Sequence, residues 1–233
     1  MEIIDVPANE ALDNPVWYAL STRHSHFALE GTRAKRYPPD VAPLAAIDSL
    51  DPYALLELAQ IVSPGEVVYL VGIVPPLTPD WTIRFQLATV QMMCQRPIEA
   101  ALTGIDISSL SEGDVPDMLA LTALTHTGPF RSRTIEMGAY LGIRVHGQLV
   151  AMAGEFLFLN HYREINVVCT HPDFRRRGYA RAIVGQLARA NLAQNLTPFL
   201  FVMPENATAQ LLYESLGFVE HRRIPMIGLQ RLG

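Results

Sequence analysis

Residues 175–180 read Arg-Arg-Arg-Gly-Tyr-Ala and sit between a strand-like run and a long amphipathic segment. A loop that ends a strand and opens a helix points several unsatisfied backbone N–H groups, and the positive end of the helix dipole, at one spot. Such a spot suits a phosphate or diphosphate. Gly178 lets that group approach the main chain closely, and Ala180 is small for the same purpose. Arg175, Arg176 and Arg177 add charge-assisted donors. A solvated basic turn is the competing reading of any Arg run, and the strand–loop–helix context is what argues against it.

The rest of the chain offers few other reactive clusters. The two cysteines, Cys94 and Cys169, lie in apolar runs without metal-ligand spacing, so buried reduced thiols are expected. His24 and His26 are two apart, which would place them on one face of a strand as a structural pair, and no metal site is expected. The net charge of −5 leaves no basic surplus to displace phosphate counterions, which argues against nucleic acid as a partner. An acidic chain with one Arg cluster fits a small phosphorylated ligand better. The N-terminus, Met-Glu-Ile-Ile-Asp, lacks an apolar signal core, and no apolar run is long enough to span a bilayer. A soluble, cytoplasmic protein without a membrane partner is the expectation.

The elements that must position the loop follow from periodicity and punctuation. Residues 1–100 are chopped by prolines, including Pro38, Pro39, Pro43, Pro52, Pro64, Pro75, Pro76 and Pro79. A helix is predicted at Pro52–Ile61 with Asp51 as cap, a buried strand at Glu66–Ile73, and another strand at Thr82–Met93. Residues 101–233 have a cleaner rhythm. A helix is predicted at Asp114–Leu124, capped by Asp114 or Ser111, and a short one at Ser132–Met137. Strands at Ala139–Val145, Gln148–Leu159 and Arg163–Cys169 form an antiparallel meander, turning at His146-Gly147 and Asn160-His161. The long helix Tyr179–Asn191 follows the Arg loop, with Ala182, Ile183, Leu187 and Ala190 at helical spacing. A strand at Pro198–Met203, a helix at Asn206–Leu216 and a closing strand pair or ribbon at Phe218–Leu229 complete the order. This is an α/β (α+β) chain.

That order, with two motifs in it, resembles the GNAT superfamily of N-acetyltransferases. The first motif is Gln/Arg-x-x-Gly-x-Gly/Ala, matched by Arg175, Gly178 and Ala180. The second is Asn-x-x-Ala-x-x-x-Tyr-x-x-x-Gly-Phe, matched at Asn206, Ala209, Tyr213, Gly217 and Phe218. Gly128-Pro129-Phe130 and Ala151-Met152-Ala153-Gly154-Glu155 are similar to the glycine N-acyltransferase-type branch. The likeness covers roughly residues 105–230. It implies an acyl-CoA transferase fold with a mixed, mostly antiparallel sheet splayed between two parallel strands, here Arg163–Cys169 and Pro198–Met203. Residues 101–233 would be the catalytic domain. Residues 1–100 would be a separate α/β region, in one reading a degenerate second copy that binds no CoA.

The same resemblance implies the roles of individual residues. Acetyl-CoA, or another acyl-CoA, would be the co-substrate, with no metal. Its pantetheine arm would pair with backbone of Val167, Val168 and Cys169, and its pyrophosphate would rest on N–H groups of Arg176, Arg177, Gly178, Tyr179 and Ala180. Tyr213 shares a helical face with Asn206 and Ala209, and a phenol can donate a proton to a leaving thiolate while neutral at pH 7. Asn206 would bond CoA or cap its helix. Glu164 is the first candidate base and Glu155 the second; either could instead pair with Arg131, Arg133 or Arg144, or water alone could serve. A strand N–H near Val168 would meet the oxyanion. Acceptor walls would come from His126–Arg133 and His221–Met226. The acceptor stays open between a small amine, an amino acid held by Arg131 and Arg133, and a protein amine. So do acyl length, a non-catalytic acyl-CoA-binding module, and a monomeric or homodimeric state.

Overall fold

The computed structural model describes residues 10–96 and 104–233. The extreme N-terminus and the expected boundary at residue 100 lie outside the described residues. In chain order the elements are α1 (Pro15–Ser21), β1 (Leu29–Glu30), β2 (Ala34–Arg36), β3 (Ala45–Ile47), α2 (Pro52–Ile61), β4 (Val67–Val71) and β5 (Trp81–Cys94). After these come β6 (Ser108–Ser109), α3 (Val115–Thr125), β7 (Tyr140–Val145), β8 (Gln148–Phe158), β9 (Tyr162–Thr170), α4 (Tyr179–Ala193), β10 (Thr197–Val202), α5 (Ala207–Glu214) and β11 (Phe218–Arg231).

Local chemistry explains most boundaries. The Asp51 side chain accepts from the Tyr53 N–H and Pro52 opens α2, as expected of a cap followed by a first-turn proline. Ser111 and Asp114 form a reciprocal capping box ahead of α3. His146 and Gly147, with φ of 51° and 83°, make the tight left-handed turn that joins β7 to β8. The segment Thr134–Met137 is a 3-10 helix.

Eight strands form one mixed sheet in the order β4-β11-β5-β10-β9-β8-β7-β6. Every neighbouring pair in it is antiparallel except β9 and β10. Strands β4 and β5, from the proline-rich N-terminal region, are therefore members of the same sheet as the later strands. A small sheet, β1-β2-β3, stands beside it and is bridged to it at Leu44 and Tyr69. Helix α4 packs on the large sheet through Ile183, Val184, Leu187 and Ala188, which share a core with Val90, Val150, Ile165 and Leu200.

Three expectations are corrected. The segment after Phe218 is not a ribbon but one strand paired along β5 from Phe218↔Cys94 to Arg231↔Trp81. A bulge at His221 bends it without reversing it, and Pro225 is tolerated where β4 has just ended, its carbonyl accepting from the Gly72 N–H. His24 and His26 lie on a 3-10 turn (Ser25–Phe27), not a strand, and His24 Nδ1 is 2.7 Å from the Tyr37 hydroxyl. Their spacing therefore reflects a local turn, and among the described residues no group of acids, histidines and cysteines could hold a metal ion. On α4 the buried stripe passes through Ala188 and Asn191, leaving Ala190 exposed. No described helix is long and apolar enough to cross a membrane.

Candidate active site

The one parallel pairing in the sheet is short. β9 and β10 stay in register through Thr197↔Tyr162, Pro198↔Arg163 and Phe199↔Glu164, and no register pair joins them beyond that point. A gap in a sheet leaves backbone N–H and C=O groups available to a third extended chain. A cleft of about 420 Å³ opens there, bordered on one side by Glu164 to Val168 and on the other by Phe201, Val202 and Met203. Asn206, Ala209 and Tyr213 of the α5 segment face it, as do His126 to Pro129.

Val167 shapes this cleft. Its φ of 54° is left-handed, a costly conformation for a β-branched residue, worth roughly 1–3 kcal/mol of local strain. The register shows why. Met152 opposes Cys169 and Gly154 opposes Asn166, so β9 carries one extra residue there and bulges. The bulge takes Val167 and Val168 out of the ladder with β8, while the splay has already separated them from β10. The Asn166 side-chain oxygen receives the Val167 N–H at 2.6 Å.

A second irregularity, on β8, holds Glu164. Glu155 opposes Ile165 and Phe158 opposes Arg163, which frees the Leu157 N–H from strand pairing. That N–H donates to Glu164 Oε2 at 3.3 Å, and Asn166 Nδ2 donates to Oε1 at 2.7 Å. Glu164 borders the cleft yet is only 2% exposed. Desolvation outweighs its two hydrogen bonds and pushes its carboxyl pKa up to about 8. A carboxylate of this kind can accept a proton near neutral pH.

Tyr213 also borders the cleft, and burial pushes its pKa up to about 12, so it keeps its proton at neutral pH. Asn206 caps α5, its side-chain oxygen receiving the Ala209 N–H at 3.1 Å. Of the two roles open to Asn206, capping is present in the structure.

Glu155 does not border the cleft. Its Oε2 receives Arg163 Nε at 3.1 Å and Nη2 at 2.9 Å, together with the Ala139 N–H at 3.1 Å. The partner is Arg163, not Arg131, Arg133 or Arg144. Arg133 is tied to Glu136 and Asp40, and Arg144 to Asp114 and Asp117. Cys169 is likewise outside the cleft lining, packed beside Met118, Leu121 and Met152, and burial pushes its thiol up to about 12.

The loop from Arg175 to Ala180 follows β9 and a 3-10 turn at Pro172–Phe174. Gly178 is the N-cap of α4 with φ 80°, a left-handed conformation that glycine adopts without strain. The first helical bond runs from the Ala182 N–H to the Gly178 carbonyl, so earlier N–H groups face outward at the helix start. Arg175, Arg176 and Arg177 are exposed there, with Arg177 over the Phe174 ring at 4.9 Å. An unpaired strand edge leading to a helix N-terminus with a glycine cap suits an extended arm ending in a diphosphate.

Some cleft residues carried no sequence signal. Leu44, Tyr69, Val71 and Thr89, all from the N-terminal region, line its wall with Phe156, Leu157 and Met226. They reach it through strand pairing remote in sequence, which no local motif announces.

Comparison with known proteins agrees with this geometry. A family model for FR47-like proteins matches residues 140–224. The ribosomal protein bS18-alanine N-acetyltransferase of Escherichia coli is 31% identical over 123 residues, covering 49% of this chain and 80% of that enzyme. A solved structure from Novosphingobium aromaticivorans, assigned to the GNAT acetyltransferases, superposes with a TM-score of 0.87 at 32% identity. That match covers 95% of this chain and 99% of the other. A GCN5-related N-acetyltransferase from Kribbella flavida shares the fold, with a TM-score of 0.65 at 15% identity over 97% of this chain and 96% of its own.

Proposed function

This chain belongs to the GNAT superfamily of N-acetyltransferases, and from that premise we propose that it acetylates a primary amine in the cleft, with Glu164 as general base and Tyr213 as general acid. The observation that carries the assignment is that these two protonatable groups line one cleft at the β9–β10 splay. Acetyl-CoA supplies the acetyl group as an activated thioester, which the amine nitrogen attacks with loss of the thiol. The backbone of Val167 and Val168, outside the strand ladders, would hold the pantetheine arm, and the loop Arg175 to Ala180 the pyrophosphate. Glu164 accepts one proton from the amine, directly or through a water, and Tyr213 donates its phenolic proton to the departing sulfur. The Val168 N–H, out of both ladders, is available to the developing oxyanion. Glu155 is the less suitable base, because its carboxylate already holds Arg163.

The donor reading favours acetyl over longer acyl chains, since the apolar space beyond Glu164 is needed for the acceptor. The likeness of Gly128 to Phe130 and Ala151 to Glu155 to the glycine N-acyltransferase branch is the ground for the alternative, an amino-acid acceptor with a longer acyl donor. The N-terminal region shares its strands β4 and β5 with the sheet of the later strands, carries no Arg-x-x-Gly-x-Gly/Ala loop of its own, and is assigned no CoA.

Thermal unfolding with acetyl-CoA, CoA and ATP tests the donor. At about 100 times Kd a specific ligand adds roughly 2.7 kcal/mol, a rise of about 5–10 °C for a chain of this size. A rise with both CoA species and not with ATP is expected. No shift at millimolar acetyl-CoA would refute the reading.

A further inference from the structure

The cleft divides between two apolar clusters. Val168, Val202, Ala209 and Tyr213 belong to the core under α4, at the end suited to the donor. Leu44, Val71, Phe156 and Leu157 belong to a separate cluster against which Tyr69, Phe201 and Met226 pack. Glu164 lies between them, hydrogen-bonded to Leu157 on one side and Asn166 on the other. The second end is thus walled partly by the N-terminal region, through Leu44, Tyr69, Val71 and Thr89.

The charge pattern of this end is specific. Among the described residues lining the cleft, Glu164 is the only carboxylate, and none is Arg or Lys. The two arginines that could have met an amino-acid carboxylate, Arg131 and Arg133, are not in the lining, and Arg133 is engaged by Glu136 and Asp40. An α-carboxylate at this end would therefore be desolvated without an Arg or Lys partner, which opposes binding. A second ammonium on the acceptor would be buried against Leu44, Val71 and Met226 without an anion. With about 420 Å³ shared between the thioester end of the donor and the acceptor, only a small apolar group of the acceptor fits inside the cleft.

We propose that the acceptor is a small apolar primary amine of the alkyl or aralkyl type, whose only charge is the amine, with its apolar group held by Leu44, Tyr69, Val71, Phe156, Phe201 and Met226. This rests on the acetyl-transfer reading above. The N-terminal region then selects the acceptor, while the C-terminal strands and helices hold the donor.

The test is thiol release from acetyl-CoA by the full chain with 2-phenylethylamine and hexylamine, against L-phenylalanine, spermidine and a peptide beginning with alanine. The two apolar amines should be turned over with kcat/KM about tenfold or more above the other three. A preference for phenylalanine, spermidine or the peptide overturns the proposal. So does absence of turnover with the apolar amines while acetyl-CoA still raises the melting temperature. A chain that neither responds to acetyl-CoA nor releases thiol with any amine overturns the acetyl-transfer reading, and this assignment with it. Met226→Arg places a cation in the acceptor wall. It should raise KM for 2-phenylethylamine by about tenfold and narrow the gap to L-phenylalanine, with the acetyl-CoA thermal shift retained. Tyr69→Ala gives a second reading if the Arg variant does not fold, and should raise KM for 2-phenylethylamine more than it lowers kcat. An unchanged KM in the folded variants overturns the proposal.

Discussion

Replacing the buried carboxyl Glu164 by Gln should impair catalysis yet stabilise the fold at alkaline pH. Burial raises the Glu164 pKa from its ordinary 4.5 to about 8, against the opposing pull of two donors. In the unfolded chain the group ionises above pH 4.5, whereas in the fold it stays protonated until about pH 8. The folded state therefore binds the extra proton across that window, and wild-type stability falls as pH rises through it. The loss is about 1.4 kcal/mol per pH unit and roughly 5 kcal/mol in all. Gln has no such titration, but its amide NH2 meets one of the two donors, Leu157 N–H or Asn166 Nδ2, at a cost of about 1 kcal/mol. Glu164→Gln should thus be about 1 kcal/mol less stable than wild type near pH 4.5, equal to it about one pH unit higher, and roughly 4 kcal/mol more stable at pH 9. Urea unfolding of both proteins at unit pH steps from 5 to 9 measures this directly, because all other titrating groups are shared and cancel in the difference. A stability difference that does not change with pH would refute the reasoning, since Glu164 would then titrate alike in the folded and unfolded chain.

In turnover assays, kcat/KM should rise with pH through about 8 as Glu164 loses its proton, and Glu164→Gln should remove that limb and lower the rate about 10²–10⁴-fold, as read from pH profiles with a saturating amine. Tyr213→Phe should lower kcat by about 10²–10⁴-fold while keeping the acetyl-CoA thermal shift, and unchanged kcat would remove the phenol from the acid role. With its pKa near 12, Tyr213 should produce no falling limb below about pH 11. Gly178→Ala forces a side chain into a left-handed position at the start of α4, and should cost about 1–2 kcal/mol of stability in urea and weaken acetyl-CoA binding in the thermal assay.

Most of the layout of helices and strands was legible in the residues because its determinants are local. Caps at Asp51 and Asn206, the His146-Gly147 turn and the strand–loop–helix around Gly178 each depend on neighbours a few positions away. The closing strand was misread because a bulge and an edge proline resemble a turn until their partner, β5, is known. Glu164 stood out as a candidate by its place on a strand, but nothing local distinguished it from Glu155.

By itself the sequence determined the alternation of strands and helices, the glycine-capped Arg loop, and the shared helical face of Asn206, Ala209 and Tyr213. These rest on backbone sterics and periodicity, which act over one or two turns of chain. Only the tertiary structure decided that Arg163 occupies Glu155 and that bulges on two adjacent strands leave Glu164 at the edge of a cleft. It also decided that Leu44, Tyr69 and Val71 arrive from the far side of the sheet to wall that cleft. Desolvation and charge pairing depend on which distant atoms displace water from a group, and those atoms are brought there by strand pairing across many tens of residues.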